Sequence, residues 1–236
     1  MKLTFLGTRG NIDTRTRRHG MHSAMRVSYY DAEIIFDCGE DWLGQVGDWD
    51  ADGIVVTHAH PDHAYGLKEG APCPVFATEA SWEAMEGFDI EERRTVPERD
   101  PVLIGGGGEE RGISVEAFPV LHSTRAPAVG YRVTAGRVDV FYVPDVAWIE
   151  DREPALSGIR LYVGDGATVK RSMVRKPGDV IMGHVPWARA DSGSVDLVSE
   201  AGRSQSDLHP PGVGGRGGRR TGAGGRDPRA GRGTGR

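Results

Sequence analysis

The feature that most constrains this chain is the run IVVTHAHPDHA at residues 54–64. Its apolar, β-branched start is typical of a buried strand, and its polar end predicts a loop at the strand's C-terminal end. Three histidines and Asp62 follow Thr57 within six positions. Imidazole is the commonest metal ligand in proteins, and a carboxylate adds a hard oxygen donor. The run therefore predicts one divalent-metal site and the start of a second. The alternative is a set of surface histidines beside a helix that Asp62 caps.

Length and composition favour one sizeable α/β domain, because 236 residues with 27% charged and 38% hydrophobic side chains are ordinary for a globular protein. The cysteines, Cys38 and Cys73, belong to no C-x-x-C motif. We therefore expect free thiols in a reducing compartment, not a thiolate metal site. The N-terminal apolar stretch is too short for a signal peptide, and no stretch has transmembrane length. These features predict a cytoplasmic location and no membrane partner.

Alternating apolar and polar residues predict further strands along the chain, over residues 2–6, 24–30, 33–36, 113–120 and 137–143. The glycines at 105–108 are followed by two acids, so they predict a hairpin turn and not a phosphate-binding loop. The charged, proline-punctuated stretch at 90–102 predicts a solvated connector. The number of strands agrees with a two-sheet α/β domain but does not supply its topology.

The order H-x-H-x-D-H at residues 58–63 resembles the motif of the metallo-β-lactamase-fold hydrolases. The resemblance covers about residues 1–200 and is to the tRNase Z and cyclic phosphodiesterase-like branch. It implies an α/β fold, an αββα sandwich of two mixed sheets with metals at one sheet edge. It also implies the ligands: one metal on His58, His60 and His122, a second on Asp62 and His63, and Asp145 between them.

The resemblance also gives roles to three residues outside the motif at 58–63, each at the end of a predicted strand. The resemblance makes His122 and Asp145 ligands, and it makes Asp37 a buried carboxylate that orients the metal loop through hydrogen bonds without touching metal. Each has a plainer alternative. His122 could be structural, Asp37 could be a turn residue, and Asp145 could be the N-cap of a helix over residues 147–150.

Two later segments resemble a feature of the phosphodiester-cleaving branch, in which one loop reads His-Glu-Ala-Thr and another reads Gly-His-Ser-Thr. Here Asp165 and Gly166 fall where the family has His and Glu, so the acid has moved or its role is lost. Gly183 and His184 match the second loop. By this resemblance His184 contacts the scissile phosphate or protonates the leaving oxygen. It is a catalytic candidate beside Asp62, and the alternative is a strand-end histidine or a metal ligand.

The implied function is hydrolysis by a metal-bound hydroxide, because two adjacent cations lower the pKa of a shared water. Ligands that offer only nitrogen and oxygen suit two Zn²⁺ ions, with Mn²⁺ or Fe as alternatives. The basic loop at residues 11–22 is either a solvated surface loop or the rim of a pocket that meets an anionic substrate. The second interpretation favours a small cyclic or nucleotide phosphodiester or RNA. The alternative substrates are a lactone, a thioester or a β-lactam. No substrate-binding residue is assigned, and a homodimer is left open.

The chain changes character after Gly202. Eight arginines and two acids give residues 203–236 a net charge of +6, which leaves −11 of the total −5 for the residues before them. This Gly-, Arg- and Pro-rich tail is too poor in apolar residues to fold. We therefore expect a hydrolase domain over 1–202 and a disordered tail over 203–236.

The tail also lacks what the family places there, a last strand that ends in Thr-His and completes the second metal site. His209 lies nearby, but the two prolines that follow exclude a strand. One allowed codon set for residues 203–212 is CGC TCG CAA TCG GAT CTT CAC CCA CCT GGG. Translated from one base later, the same bases encode A-R-N-R-I-F-T-H-L-G, which contains an apolar pair followed by the Thr-His that the family has at this place. We therefore expect a frameshift near Gly202, a last strand that is missing or altered, and a weakened second metal site. Resequencing the 3′ end of the gene tests this.

Two readings without catalysis are also open. The chain could be an inactive or metal-poor fragment, or the Arg-Gly tail could bind RNA, non-specifically and in a salt-dependent way. Metal analysis separates them from the enzyme, for which about two metals per chain are expected.

Overall fold

The computed structural model describes residues 1–17, 19–166, 173–175 and 182–184, and of 173–175 and residue 182 only the backbone. The described residues do not include the expected tail at 203–236, where His209 and the predicted frameshift lie. They also do not include the place of the last strand that we expect to be missing or altered. Within the described part of the chain, no helix is long and apolar enough to cross a membrane.

The first sheet combines an antiparallel start with a parallel remainder. The strands β1, β2 and β3 are antiparallel neighbours, and β3 to β6 are parallel. Their bounds, in the order in which they lie in the sheet, are β1 (Lys2–Gly7), β2 (Ala24–Tyr29), β3 (Ala32–Phe36), β4 (Gly53–Val55), β5 (Val75–Ala77) and β6 (Arg93–Thr95).

The second sheet is antiparallel except for one parallel pair, β10 with β12. Its strand order is β11-β8-β9-β10-β12, and β7 pairs with β8. The strands are β7 (Val102–Ile104), β8 (Ile113–Leu121), β9 (Ala128–Ala135), β10 (Val138–Val143), β11 (Trp148–Ile149) and β12 (Leu161–Gly164). A separate pair is formed by β13 (Met173–Arg175) and β14 (Met182–His184).

Strand periodicity divides the apolar residues among three layers of core. Side chains alternate between the two faces of a strand, so Ile34 and Phe36 of β3 point into the space between the sheets while Ile35 points outward. The central cluster joins Phe36 to Val115, Tyr131 and other residues of the second sheet.

The helices are short and cover the outer faces. The α-helices are α1 (Pro61–Ala64), α2 (Glu79–Ala84) and α3 (Arg152–Leu156), and 3₁₀ turns span Glu40–Trp42 and Tyr65–Leu67. Trp82 of α2 packs in the cluster outside the first sheet, and Ala155 of α3 packs in the cluster outside the second. The predicted αββα sandwich is confirmed in this layering.

Two predictions of local structure are wrong, and one alternative is excluded. Residues 90–102 are not only a connector, because β6 pairs with β5 in parallel although its three side chains are exposed. A strand at a sheet edge can pair through its backbone while its charged side chains stay exposed. Such a strand shows no alternation of apolar and polar residues in the sequence. The histidine loop is also shorter than predicted, because α1 begins at Pro61 inside it. Proline at a first helical position has no hydrogen bond to lose. Finally, residues 148–149 form β11, so Asp145 caps no helix.

Candidate metal centre

The candidate residues gather at one edge of the sandwich because each follows a strand end. Asp37 comes directly after β3, His58 and His60 follow β4, and His122 comes directly after β8. Asp145 lies two residues beyond β10. The carboxyl ends of neighbouring parallel strands meet at one edge, where α/β proteins commonly bind ligands.

The first cluster consists of His58, His60, His122 and Asp145. His60 Nδ1 lies 3.0 Å from His58 Nε2 and 3.2 Å from His122 Nε2. Asp145 Oδ2 lies 3.6 Å from His58 Nε2 and 3.3 Å from His122 Nε2. Four donor atoms therefore face one small volume from three different segments of the chain.

These separations fit a tetrahedral zinc site. Ligand atoms about 2.05 Å from a central Zn²⁺ lie about 3.3 Å from one another when the geometry is tetrahedral. The four measured separations run from 3.0 to 3.6 Å. Burial also lowers the pKa of His58, His60 and His122, so these imidazoles are neutral, which is the form that binds metal.

The second cluster consists of Asp62, His63 and Asp145, and it shares Asp145 with the first. His63 Nε2 lies 3.3 Å from Asp62 Oδ2 and 3.3 Å from Asp145 Oδ2. That nitrogen is buried and has no hydrogen-bond partner of good geometry, because it faces two carboxylates without aligning with either. An unmatched donor between two acids suits a position that a cation occupies.

The charges in the second cluster also favour a cation at this position. Burial opposes a charged imidazole, but Asp145 and Asp37 raise the pKa of His63 well above its usual value. Burial likewise opposes ionisation of Asp145, yet His63 beside it holds the pKa of that carboxyl well below its usual range. A divalent cation between these acids would supply the positive charge that they favour.

The buried Asp37 carboxylate accepts hydrogen bonds from the loop that carries the candidate metal ligands. Asp37 is fully buried and in the left-handed region, with φ of 61°. Its Oδ1 accepts from the backbone N–H of Thr57 at 2.8 Å, and its Oδ2 accepts from Nδ1 of His63 at 2.9 Å. Asp37 thus contacts the loop that carries the candidate ligands and does not fit a plain turn residue, which would be exposed.

Two contributors were not anticipated from the sequence. Thr57 Oγ1 lies 3.1 Å from His58 Nδ1 and thereby orients that ring. Tyr142, on the opposite sheet, donates from its hydroxyl to Asp37 Oδ2 at 3.1 Å. A threonine next to a histidine could have been suspected, but a tyrosine in a strand pattern carries no signal beyond core packing.

His184 lies beside the clusters and is paired with an acid. Its Nδ1 contacts Asp165 Oδ2 and lies 3.9 Å from Asp145 Oδ1, and its ring centre is 5.0 Å from that of His122. Asp165 is itself buried. A carboxylate at position 165 thus contacts His184, one position before the place where the resembled family has its acid. Asp145, Asp165 and His184 also form a third group with metal-ligand spacing.

The Arg-rich loop lies next to the second cluster and is closed at its base. A Cβ built on Gly10 would be 3.6 Å from Asp62 Oδ2. Arg9 pairs with His22 in a bridge, and its buried guanidinium contacts Asp41 Oδ2. Arg15, whose side chain is 59% exposed, reaches Asp41 Oδ1 at 2.5 Å. The cationic loop is thus held at the rim of the candidate site.

Comparison with known proteins agrees with this geometry. Residues 32–206 match the family model described as Beta-lactamase superfamily domain. The chain is 28% identical to ribonuclease Z from Methanopyrus kandleri over 181 residues, 68% of this chain and 61% of that protein. It is 41% identical to ribonuclease Z from Methanococcus maripaludis (strain C6) over 163 residues, 59% of this chain and 52% of that protein. The chain thus spans less than two thirds of these relatives.

Solved structures show the same fold. One is Zn²⁺-bound PqqB from Methylobacterium extorquens, with a TM-score of 0.53 and 18% identity, covering 71% of this chain and 73% of that chain. Another is a diphosphatase from the PhnP family, with a TM-score of 0.52 and 22% identity, covering 68% and 71%. The family match, the two-sheet sandwich and the strand-end cluster of His and Asp lead to one conclusion: the chain belongs to the β-lactamase superfamily domain family and has the metallo-β-lactamase fold.

Proposed function

We propose that this chain is a metal-dependent hydrolase of phosphodiester bonds, in a small cyclic or nucleotide phosphodiester or in RNA. The observation that carries the proposal is the convergence of six donor side chains on two clusters that share Asp145. Isolated buried histidines are common, but two adjoining donor groups bridged by one buried carboxylate suit a pair of cations.

In this proposal His58, His60 and His122 hold one divalent cation, Asp62 and His63 hold the other, and Asp145 serves both. Zn²⁺ fits the donor set best, with Mn²⁺ or Fe as alternatives. When bound, such a pair supplies Lewis-acid charge that lowers the pKa of a water and stabilises negative charge on the attacked group. The protein keeps its donors in the metal-binding form, since burial lowers the pKa of the three imidazoles in the first cluster.

His184 is the proposed proton donor to the leaving oxygen. Its Nδ1 contacts Asp165, which leaves Nε2 as the atom that can meet a substrate. Burial disfavours the charged ring, but the hydrogen bond that His184 donates to Asp165 and the charge of Asp145 raise the pKa of His184 above its usual value. A ring whose charged form is favoured in this way can donate a proton as the bond to the leaving oxygen breaks.

A phosphodiester is preferred over an ester or lactone because of the charge around the site. Arg15 and Arg17 are exposed on the loop whose Gly10 lies beside Asp62, and arginine pairs well with phosphate oxygens. The curated relatives named ribonuclease Z add a second reason.

The free thiols of Cys38 and Cys73 also fit the predicted cytoplasmic location.

The test uses the purified full chain, with Zn²⁺ or Mn²⁺ added after removal of bound metal. Bis-p-nitrophenyl phosphate, a dinucleotide and a short RNA are assayed beside a chromogenic ester and a lactone, and metal content is measured in parallel. We expect about two metals per chain and turnover of at least one phosphodiester, with both lost in Asp145→Asn. The exposed Arg111→Ala variant serves as the control.

Other outcomes overturn the proposal in identifiable ways. Turnover of only the ester or the lactone supports the same metals with a different substrate class. Zero or one metal and no turnover supports an inactive or metal-poor protein.

A further inference from the structure

The Asp37 carboxylate accepts hydrogen bonds from both layers of the sandwich. From the first sheet, Thr57 donates through its backbone N–H and its hydroxyl, and His63 donates through Nδ1. From the second sheet, the hydroxyl of Tyr142 donates to the Oδ2 atom that also accepts from His63. A buried carboxylate needs several such donors, and the direction of each one limits how it can rotate.

Tyr142 is well placed to couple the two halves of the site. It is buried on β10, whose chain continues over two residues to Asp145. Asp145 Oδ2 and Asp37 Oδ2 lie on opposite sides of the His63 ring, 3.3 Å from Nε2 and 2.9 Å from Nδ1. One strand therefore contributes both the carboxylate that faces His63 and the phenol that fixes the carboxylate behind it.

We propose that Tyr142 is a positioning residue for the second cation site, because its hydrogen bond to Asp37 fixes the orientation of His63. This inference rests on the proposed function, which assigns Asp62, His63 and Asp145 to a cation. The first cluster has no direct contact with this carboxylate, since Asp37 reaches His58 only through the Thr57 hydroxyl. Loss of the phenol hydroxyl therefore weakens binding of the second cation more than binding of the first.

The chain contains a matched control in Tyr131. It is also fully buried, it packs on the same Phe36 ring with centroids 5.6 Å apart, and Tyr142 does so at 5.2 Å. Its hydroxyl donates to the backbone carbonyl of Val56 at 3.0 Å, not to a group that holds a metal ligand. Tyr131→Phe and Tyr142→Phe each remove one buried hydroxyl and one hydrogen bond, so a purely structural effect is similar in the two variants.

The experiment titrates Zn²⁺ into the metal-free full chain against a chromophoric chelator and fits two stepwise dissociation constants. Asp62→Ala, which spares the first cluster, identifies the constant that belongs to that cluster. We expect Tyr142→Phe to raise the second constant by about tenfold, as removal of a ligand-orienting partner does elsewhere, and to raise the first constant much less. Tyr131→Phe is expected to leave both constants within about twofold of the wild type.

Equal constants in the two tyrosine variants would overturn this inference alone, provided that the wild type binds two Zn²⁺ ions. A wild type that binds fewer than two overturns the proposed function as well. Circular dichroism of each variant confirms that it is folded before the constants are compared.

Discussion

At the scale of single residues, Asp145 is the centre of the candidate site. Its Oδ2 atom has imidazole nitrogens of His58, His63 and His122 within 3.6 Å, and its Oδ1 atom faces His184 at 3.9 Å. A neutral ring could not replace it, because only a carboxylate offers two anionic oxygens to different partners.

The proton-donor role of His184 predicts an effect that depends on the leaving group. His184→Ala is expected to lower kcat about 100-fold on a dinucleotide, whose ribose oxygen must be protonated. On bis-p-nitrophenyl phosphate the loss is expected to be less than about tenfold, because p-nitrophenolate leaves without a proton. Steady-state kinetics with both substrates measure the ratio. Equal losses on both, accompanied by loss of metal, would instead make His184 a ligand, and the exposed Arg111→Ala variant is the control.

At the scale of elements, the loop between β1 and β2 depends on one acid. Asp41 Oδ2 accepts from the backbone N–H of His22 at 2.9 Å, in addition to its ion pairs with Arg9 and Arg15. The indole N–H of Trp42 donates to the carbonyl of His22 at 2.9 Å and fixes the same end of the loop. These contacts hold the cationic segment near Asp62.

Asp41→Asn is expected to destabilise the fold at neutral pH by about 2 kcal/mol, the scale of hydrogen bonds to a charged group. Burial opposes ionisation of Asp41, but Arg9 and His22 lower its pKa below the usual value. A lowered pKa in the folded state means that the stabilisation is complete above about pH 4 and is lost as the pH falls further. Urea unfolding of both proteins from pH 7 to pH 3.5 measures the difference. A difference that stays constant down to pH 3.5 contradicts the role assigned to this charge.

The same variant tests the function of the loop. KM for a phosphodiester is expected to rise about tenfold while the metal content stays at the wild-type value, because Arg15 then loses its anchor. Glu92→Gln, which breaks the exposed pair of Glu92 with Arg94 on the far edge of the first sheet, is the matched control.

At the scale of the whole molecule, the site joins the two sheets. The first sheet supplies Asp37, His58, His60, Asp62 and His63 through the ends of β3 and β4, and the second supplies His122 and Asp145 through the ends of β8 and β10. The central core holds these edges together, with Phe36 of the first sheet against Tyr131 and Tyr142 of the second. A bound cation would therefore link the layers directly.

Removal of metal is accordingly expected to lower the thermal stability of the whole domain. Ligand at 100 times its Kd stabilises the folded state by about 2.7 kcal/mol, which corresponds to about 5–10 °C in Tm for a domain of this size. Scanning calorimetry with and without a chelator measures the shift, and added Zn²⁺ should reverse it. Asp145→Asn should show no response to chelator. An unchanged Tm in the wild type would contradict cation binding between the sheets.

The sequence by itself determined the fold family and most of the donor atoms. The spacing of His58, His60, Asp62 and His63 is local, so one strand end and one short loop specify it without knowledge of the rest of the chain. Strands with clear alternation, such as β8 and β10, were also predicted, because period-two burial is written in the sequence. The charged β6 was not, since its pairing uses only backbone groups.

Tertiary structure decided the contacts that depend on pairing across long separations. Tyr142 meets Asp37 across 105 positions, and Asp165 meets His184 across two strand ends. Neither pair has a sequence spacing that identifies it, because the partners lie on different elements. In the sequence, Tyr142 cannot be distinguished from other buried tyrosines, and Asp165 cannot be distinguished from other acids at strand ends. The physical reason is that a ligand's identity is a property of one residue, whereas its orientation and charge depend on neighbours that only the packing of the two sheets brings within hydrogen-bond distance.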